Sequence, residues 1–280
     1  MIKYAITLAS FRKIEPIDQT LSTVANQGYD AIEMFGEPAE VDVKQLRDTF
    51  SSYSLPVCGL TGMWGSISPE GWKRKILSSD PVLVQASEQY VIDCVKMCNI
   101  LEGEEINICL FADDVPGFDK THRIIPAKDK ELFAAKAIPI MNRLCTEASN
   151  YGVRLVLEPL NRYSTPYCAT AKDAVAIASQ VDSLGILLDT FHMNIEEDSF
   201  RDAIDSSRQA LLHMHFADNN RKMPGFAHID FSTIVKSLKD ISYTGYISFE
   251  PNIADKNYQY ATKYGLDFVK TMVNDKVEAK

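Results

Sequence analysis

The 280-residue chain has few histidines, no excess of basic residues and no long apolar run. Its 29 Lys and Arg residues are outnumbered by 38 Asp and Glu residues, which gives a net charge of −9. Such an acidic chain is a poor partner for nucleic-acid phosphates or an anionic membrane surface. No segment approaches the ~18 consecutive apolar residues of a transmembrane helix. We therefore expect no nucleic-acid partner and no membrane partner.

Disulfide and metal–thiolate patterns are also missing. The six cysteines form no CxxC pair, and several, such as Cys58 and Cys109, lie in apolar runs where a free cysteine behaves as a small hydrophobic residue. The amino-terminal sequence MIKYAITLASFRK is too short and too polar for a signal peptide. These features predict a reduced, cytoplasmic protein.

Short apolar runs alternate with longer segments of helical period, which is typical of βα units around a parallel sheet. The predicted strands are 3–8, 31–35, 56–60, 106–111, 154–158, 186–189, 211–216 and 246–250. The predicted helices lie near 17–27, 43–53, 81–100, 129–150, 171–181, 199–208, 231–240 and 256–273. Eight such units predict a single (β/α)8 TIM barrel over residues 1–280. A doubly wound sheet is the alternative, but no GxGxxG follows the first strand.

A weak internal repeat places acids at predicted strand ends. Glycine, an apolar run and an acid follow one another four times, and the acids are Glu33, Glu158, Asp189 and Glu250. The glycines suit helix ends, where a left-handed residue is needed. In a (β/α)8 barrel the carboxyl ends of all strands meet at one face, where active sites are built. These acids, far apart in sequence, are therefore predicted to meet in space.

The last four predicted strands end in four candidate metal ligands, Glu158, Asp189, His215 and Glu250. A single acid after an apolar run is usually a solvated loop residue, but clustered carboxylates repel each other unless a cation joins them. Three carboxylates and one imidazole suit one Mn²⁺, Mg²⁺ or Co²⁺ ion better than a structural zinc. Glu33 is predicted to be a rim residue of structural use.

Other polar side chains near the strand ends are candidate substrate contacts. His192 could reach a substrate hydroxyl or support the metal shell, and Arg221 could donate hydrogen bonds to a hydroxylated ligand. Ordinary surface roles are the alternative for both. Trp64 could pack over a sugar ring or wedge a loop. His213 lies two residues before His215, on the same face but deeper, and is predicted to be a hydrogen-bonded core histidine.

This set of residues suits proton removal next to a carbonyl group. A hard cation bound to a carbonyl oxygen and the adjacent hydroxyl stabilises the enediolate that forms when the carbon loses its proton. Inversion needs a base on one face and an acid on the other, and Glu158 and Glu250 lie three strands apart around the barrel. Epimerisation follows if both faces are used, and aldose–ketose isomerisation if the proton returns to the neighbouring carbon. The residues fit both reactions.

Four segments resemble a known family: LEPLNRY at 157–163, LDTFHMNIEE at 188–197, HMHFADNNR at 213–221 and FEP at 249–251. They resemble the xylose-isomerase-like TIM-barrel superfamily of sugar isomerases and epimerases. The similarity is closest to the D-tagatose/D-psicose 3-epimerase group and related keto-sugar epimerases. It covers about residues 150–251, whereas the first half resembles the family only in its βα rhythm.

The resemblance implies that the four candidate ligands bind one divalent ion, usually Mn²⁺, Co²⁺ or Mg²⁺. It implies that Glu158 and Glu250 are also the catalytic acid and base. His192 and Arg221 match positions that contact substrate oxygens. The resemblance further implies a small-molecule sugar substrate and a homo-oligomer, either a dimer or a tetramer.

One position departs from the family pattern. The tagatose/psicose epimerases carry a second Glu six residues after the first metal-binding Glu, where it contacts the substrate near its carbonyl end. Here that position is Ser164, which is shorter and uncharged but can still form a hydrogen bond to substrate. Related enzymes that epimerise 3-keto glycosides also have a neutral polar residue there. The departure therefore disfavours a free ketohexose and favours a modified or larger keto-sugar.

Other functions of the same superfamily stay open at this point. A hydroxypyruvate-type isomerase or an inosose dehydratase would use a similar intermediate, and a catalytically inactive sugar-binding barrel is the non-enzymatic alternative. The AP endonuclease IV group cuts DNA with three zinc ions. It is disfavoured because the additional histidines expected at the ends of strands two to four are absent, and because the net charge opposes DNA binding.

Overall fold

Eight parallel strands close into a barrel in chain order, each paired with the next and the last paired with the first. The computed structural model describes residues 1–113 and 125–274. The strands are β1 (Lys3–Thr7), β2 (Ala31–Gly36), β3 (Val57–Gly62), β4 (Glu105–Ile108), β5 (Arg154–Leu157), β6 (Leu184–Asp189), β7 (Leu211–Phe216) and β8 (Tyr246–Phe249). The predicted (β/α)8 TIM barrel is confirmed.

Helices cover the outside of the barrel. They are α1 (Ile17–Gln27), α2 (Val43–Ser52), α3 (Pro81–Ile100), α4 (Ala127–Ser149), α5 (Ala171–Ala178), α6 (Thr190–Glu196), α7 (Phe200–Ser207), α8 (Phe231–Asp240) and α9 (Gln259–Asn274). All eight predicted helices are present. The short α6 was not predicted; it begins directly after β6, and the Asp189 carboxylate accepts a hydrogen bond from the Phe191 N–H as its N-cap.

The repeat glycines have two different roles. Gly28 and Gly152 have positive φ angles of 84° and 68° and follow helices α1 and α4, as predicted. The expectation is wrong for Gly185 and Gly245, which have no positive φ. A Cβ atom at either position would collide with Leu212, by its side chain at Gly185 and by its carbonyl oxygen at Gly245. These two glycines therefore permit close packing against β7.

Strand β2 continues beyond the predicted acid. Met34, Phe35 and Gly36 pair with successive residues of β3, so the strand ends three residues after Glu33. The prediction that Glu33 lies at the carboxyl end of its strand and at the barrel rim is therefore wrong. Its side chain is buried, with a relative exposure of 2%. This places a carboxylate inside the barrel, below the strand ends.

All six cysteines are buried and unpaired, as the sequence predicts. Among the helices of the described residues, none is both long and apolar enough to cross a membrane.

Candidate metal centre and active site

The four predicted metal ligands meet at the carboxyl end of the barrel. One ligand atom from each of Glu158, Asp189, His215 and Glu250 lies within 4.8 Å of the others. Asp189 is the last residue of β6, His215 lies one residue before the end of β7, and the two glutamates directly follow β5 and β8. The closed parallel barrel therefore brings residues that are almost a hundred positions apart in sequence into one cluster.

The two nitrogens of His215 have different surroundings. Nε2 lies 3.0 Å and 3.2 Å from the two carboxylate oxygens of Glu33. Nδ1 lies 3.1 Å from Glu250 Oε2 and 3.6 Å from Glu158 Oε1. It is buried and has no hydrogen bond of acceptable geometry to any described residue. Nε2–H therefore donates to Glu33, and Nδ1 faces two carboxylates, a position that favours a positive charge, either a proton on Nδ1 or a bound cation.

This arrangement fits a divalent cation. A buried nitrogen without a hydrogen bond is costly unless another group satisfies it. Here it is directed toward two carboxylates, with the carboxylate of Asp189 beside them. Three carboxylates and one imidazole form an oxygen-rich donor set that suits Mn²⁺, Co²⁺ or Mg²⁺. The donors present are therefore those that such an ion requires.

The electrostatics show how closely these charges interact. Burial alone would lower the pKa of His215, but the carboxylates of Glu33 and Glu250 raise it well above its usual range. Burial would raise the pKa of Glu250, yet Arg221 and His215 hold that pKa well below its usual range. For Asp189 burial dominates, and its pKa is raised despite the nearby Arg221.

Arg221 is the cation beside this cluster. Its guanidinium donates to Asp189 Oδ2 at 2.5 Å and to Glu250 Oε2, and it lies 4.8 Å from the ring centroid of Phe191. The backbone at Arg221 is left-handed, with φ of 58°. An arginine held in this way presents its charge both to the candidate ligands and to the space above them.

His192 lies on α6 and is held by Asn161. The backbone N–H of Asn161 donates to His192 Nδ1 at 3.1 Å, so the proton of the neutral ring is on Nε2. Nε2 lies 3.9 Å from Asp189 Oδ2. Burial lowers the pKa of His192 more than Asp189 raises it, which favours the neutral ring. His192 therefore offers an N–H donor near the cluster.

A cavity of about 750 Å³ opens above the cluster. Five predicted site residues line it: Trp64, Ser164, His192, Arg221 and Glu250. Ser164 is exposed, whereas Trp64 is only 1% exposed and packs against Phe111 and Tyr90. Glu158, Asp189 and His215 lie in the buried cluster below. Volumes of this order are typical of small-molecule sites.

Sequence reasoning missed two residues that support the cluster, Asn107 and Ser248, and misplaced a third, Glu33. Asn107 on β4 donates to Glu158 Oε2, and Ser248 on β8 donates to Glu33 Oε2 at 2.7 Å. Glu33 itself holds His215. A signal for Asn107 was present, because Glu105 and Asn107 alternate with isoleucines and so mark the inward face of β4.

His213 lies one layer below His215, as predicted. It is 1% exposed, and its Nδ1 lies 2.5 Å from Glu105 Oε1. The remaining histidine of this end of the chain, His228, is exposed and contacts Asn219 in the loop after β7.

The chain matches the family described as xylose isomerase-like TIM barrel over residues 21–272. It is 38% identical to a D-psicose 3-epimerase from Agrobacterium fabrum over 237 residues, covering 82% of this chain and 78% of that protein. It is 34% identical to a 3-dehydro-D-guloside 4-epimerase from Escherichia coli over 126 residues, covering 44% and 48% of the two chains.

Among solved structures, a D-psicose 3-epimerase from Clostridium cellulolyticum shares the fold with a TM-score of 0.81 and 23% identity, covering 98% of this chain and 100% of that chain. The predicted class, a sugar epimerase or isomerase, agrees with the names of these relatives. The match over residues 21–272 and the identity to the Agrobacterium enzyme establish that the chain belongs to the xylose isomerase-like TIM barrel family.

Proposed function

We propose that this protein is a divalent-metal-dependent keto-sugar epimerase in which Glu158 and Glu250 exchange the proton. The observation that carries the proposal is the ligand cluster below the cavity, with the orphaned Nδ1 of His215 directed into it. The named relatives support it, because a 3-epimerase and a 4-epimerase of keto-sugars both change the configuration of a carbon near a ketone.

Glu158, Asp189, His215 and Glu250 would hold the ion, with His215 binding through Nδ1. When bound, Mn²⁺, Co²⁺ or Mg²⁺ stabilises the negative charge that develops on the ketone oxygen as the neighbouring carbon loses its proton. Asn107 on the adjacent strand β4 would orient Glu158, and Glu33 on β2 would orient His215 from across the barrel, so both side chains are held before substrate arrives.

The proposed proton transfer uses the two glutamates in turn. One carboxylate takes the proton from the carbon next to the ketone, and the electron pair of the broken C–H bond moves toward the ketone oxygen. The other glutamate, in its carboxylic acid form, returns a proton to the opposite face of the same carbon. The configuration inverts, the ketone re-forms, and the two side chains have exchanged protonation states. The reverse reaction or exchange with solvent restores them.

His192 and Arg221 would orient the substrate oxygens. The Nε2–H of His192 and the guanidinium of Arg221 are donors at the cavity floor, and hydroxyl and carbonyl oxygens are their natural acceptors. Ser164 would supply a shorter, uncharged contact at the wall. Trp64 would support the lining of the cavity through its packing against Phe111.

Deuterium exchange tests the proposal. The protein is stripped of metal, reloaded separately with Mn²⁺, Co²⁺ or Mg²⁺, and incubated in D2O with a panel of ketoses and keto-glycosides that are then isolated for NMR. We expect metal-dependent deuterium incorporation next to the ketone, with an inverted product. Glu158→Gln and Glu250→Gln should each lower turnover by about 10²-fold or more.

The other outcomes separate the alternatives. Formation of an aldose would identify an isomerase, and loss of water would identify a dehydratase. Binding of sugars with no exchange under any metal would identify an inactive binding barrel and contradict the proposal. Full turnover by Glu250→Gln would contradict the two-glutamate assignment.

A further inference from the structure

The cavity is lined by exposed apolar side chains that do not belong to the metal cluster. Nine large apolar side chains of the described residues are exposed, and three of them line this cavity. They are Ile67, Trp72 and Tyr163, with relative exposures of 49%, 58% and 60%. Tryptophan is usually well buried, and exposed apolar side chains that gather at a cavity are typical of a binding surface.

The backbone that carries Trp72 is held in place. Gly71 packs against the carbonyl oxygens of Gly65 and Met63, where a Cβ atom would have no room. Arg74, two residues after Trp72, donates to the Met63 carbonyl at 2.6 Å and to Glu37 at 2.7 Å. Trp72 is therefore presented from a fixed turn, which lowers the entropic cost of binding a ligand against it.

The surroundings of the three exposed side chains favour a neutral ring. Four cations line the cavity, namely Arg12, Lys13, Lys75 and Arg221. Three of them already face acids: Arg12 pairs with Glu40, Lys75 lies 3.8 Å from Asp113, and Arg221 pairs with Asp189. The Lys73 ammonium covers one face of the Trp72 ring at 5.5 Å, so a ligand would stack on the other face. A sugar ring presents apolar C–H groups on its faces, and these pack well against aromatic rings.

The size of the cavity also favours a substrate with two rings. A hexose fills on the order of 200 Å³, the volume of about seven liquid waters at ~30 Å³ each. The cavity of about 750 Å³ is several times larger. One ring at the metal centre therefore leaves space for a second ring beside the three exposed side chains.

We propose that Ile67, Trp72 and Tyr163 form an outer subsite that binds the second ring of a keto-glycoside whose ketone-bearing ring lies at the metal centre. This inference rests on the proposed function and narrows its substrate class to keto-sugars in glycosidic linkage. The outer subsite contributes to ground-state binding. None of its three residues belongs to the metal cluster, so we expect it to affect KM rather than kcat.

Binding can be measured without turnover because the chain has only two tryptophans. Trp64 is 1% exposed and Trp72 is 58% exposed, so changes in the solvent-exposed part of the emission report on Trp72. The Mg²⁺-loaded protein is titrated with the unreactive probes cellobiose, methyl β-glucoside and glucose. We expect cellobiose to shift this emission to shorter wavelength and to bind about three- to tenfold more tightly than the two single-ring probes. Equal affinities, or no change in emission, would overturn the proposal.

Kinetics give the second test. We expect Trp72→Ala and Tyr163→Ala to raise KM for 3-keto-cellobiose by about three- to tenfold, with kcat unchanged and no effect on methyl 3-keto-glucoside. Trp72→Phe should restore most of the affinity. Tyr260→Ala is the matched control, because Tyr260 is an aromatic residue that is 71% exposed and does not line the cavity.

The two proposals fail in different ways. An equal loss for both substrates in Trp72→Ala would show a merely structural role and overturn the outer subsite. Absence of turnover with every keto-sugar would overturn the proposed function, and the fluorescence titration would then decide the outer subsite alone.

Discussion

Strand β7 carries two buried histidines in successive layers of the barrel, and only one of them faces the cluster of candidate ligands. His213 and His215 each have one nitrogen against a carboxylate, from Glu105 and Glu33 respectively, and each has a second nitrogen without a hydrogen bond to a described residue. The second nitrogen of His213 lies 3.9 Å from Glu33, which already accepts from His215. The second nitrogen of His215 faces Glu158 and Glu250.

The same type of carboxylate–histidine pair thus occurs in two layers, and only the pair in the layer nearer the strand ends adjoins the four candidate ligands. What differs is the distance from the strand end and the group that faces the second nitrogen. His215, whose strand ends one residue later, joins the four-residue cluster at the strand ends, whereas His213 groups only with Glu33 and His215.

The largest expected effect separates the two histidines. His215→Leu should lower metal-dependent turnover by at least about 10³-fold, because it removes a ligand. His213→Leu should keep metal binding but lower the free energy of unfolding by about 3 kcal/mol, because the buried Glu105 loses its hydrogen-bond partner and keeps only Arg154, 3.7 Å away. Calorimetric metal titration measures the metal affinity of each variant, and denaturant unfolding measures its free energy of unfolding. Equal loss of metal affinity in the two variants would mean that the layers are not functionally distinct.

Metal addition should stabilise only proteins that retain His215, the histidine in the layer nearer the strand ends. At a free metal concentration 100-fold above Kd, the free energy of unfolding should rise by about 2.7 kcal/mol in the wild type and in His213→Leu. His215→Leu should show little change. Thermal unfolding with Mn²⁺ and after chelation measures the difference. Stabilisation of His215→Leu by the full amount would place the ion elsewhere.

Glu33 and Glu105 provide the next comparison. Glu33→Gln should weaken metal affinity by about 10- to 100-fold, because the neutral amide no longer orients and polarises His215 as a carboxylate does. Glu105→Gln, the matched change one layer lower, should stay within a few-fold of the wild type. Isothermal titration with Co²⁺ and the visible spectrum of the bound ion give readouts independent of turnover. Similar affinities for both variants would contradict a positioning role for Glu33.

The smallest expected effect is that of Ser248→Ala. This variant removes one hydrogen bond to Glu33 and leaves the charges in place. We expect metal affinity to fall by only about two- to tenfold, because this hydrogen bond acts on the ion only through Glu33 and His215. The same titration measures it. A loss as large as that of Glu33→Gln would show that Ser248 does more than orient this carboxylate.

The sequence predicted the barrel well because hydrophobic periodicity reports directly on which face of each element is buried. All eight strands and eight of the nine described helices were expected, and the family is confirmed. Helix α6 was missed because seven residues are too few to show a helical period and its N-cap is the last residue of a strand.

The candidate ligands were predictable because each stands at a strand end, where the barrel converges. Glu33 was misplaced because a pattern of apolar residues gives the presence of a strand but not its register with its neighbours. The outer subsite had no signal at all, since Trp72 lies in a connection without periodicity and its exposure depends on how that turn packs. The roles of the individual site residues stay predictions.

The Asp189 carboxylate is both the N-cap of α6 and a member of the candidate metal cluster. One oxygen caps the first turn of α6, and the other accepts from Arg221 beside the candidate metal centre. Helix α6 also carries His192, which lines the cavity. A change in ionic radius at the centre should therefore move His192, the proposed substrate-binding residue, through the helix that Asp189 caps. We expect exchange of Mg²⁺ for the larger Mn²⁺ to change which sugars are preferred as well as how fast they react.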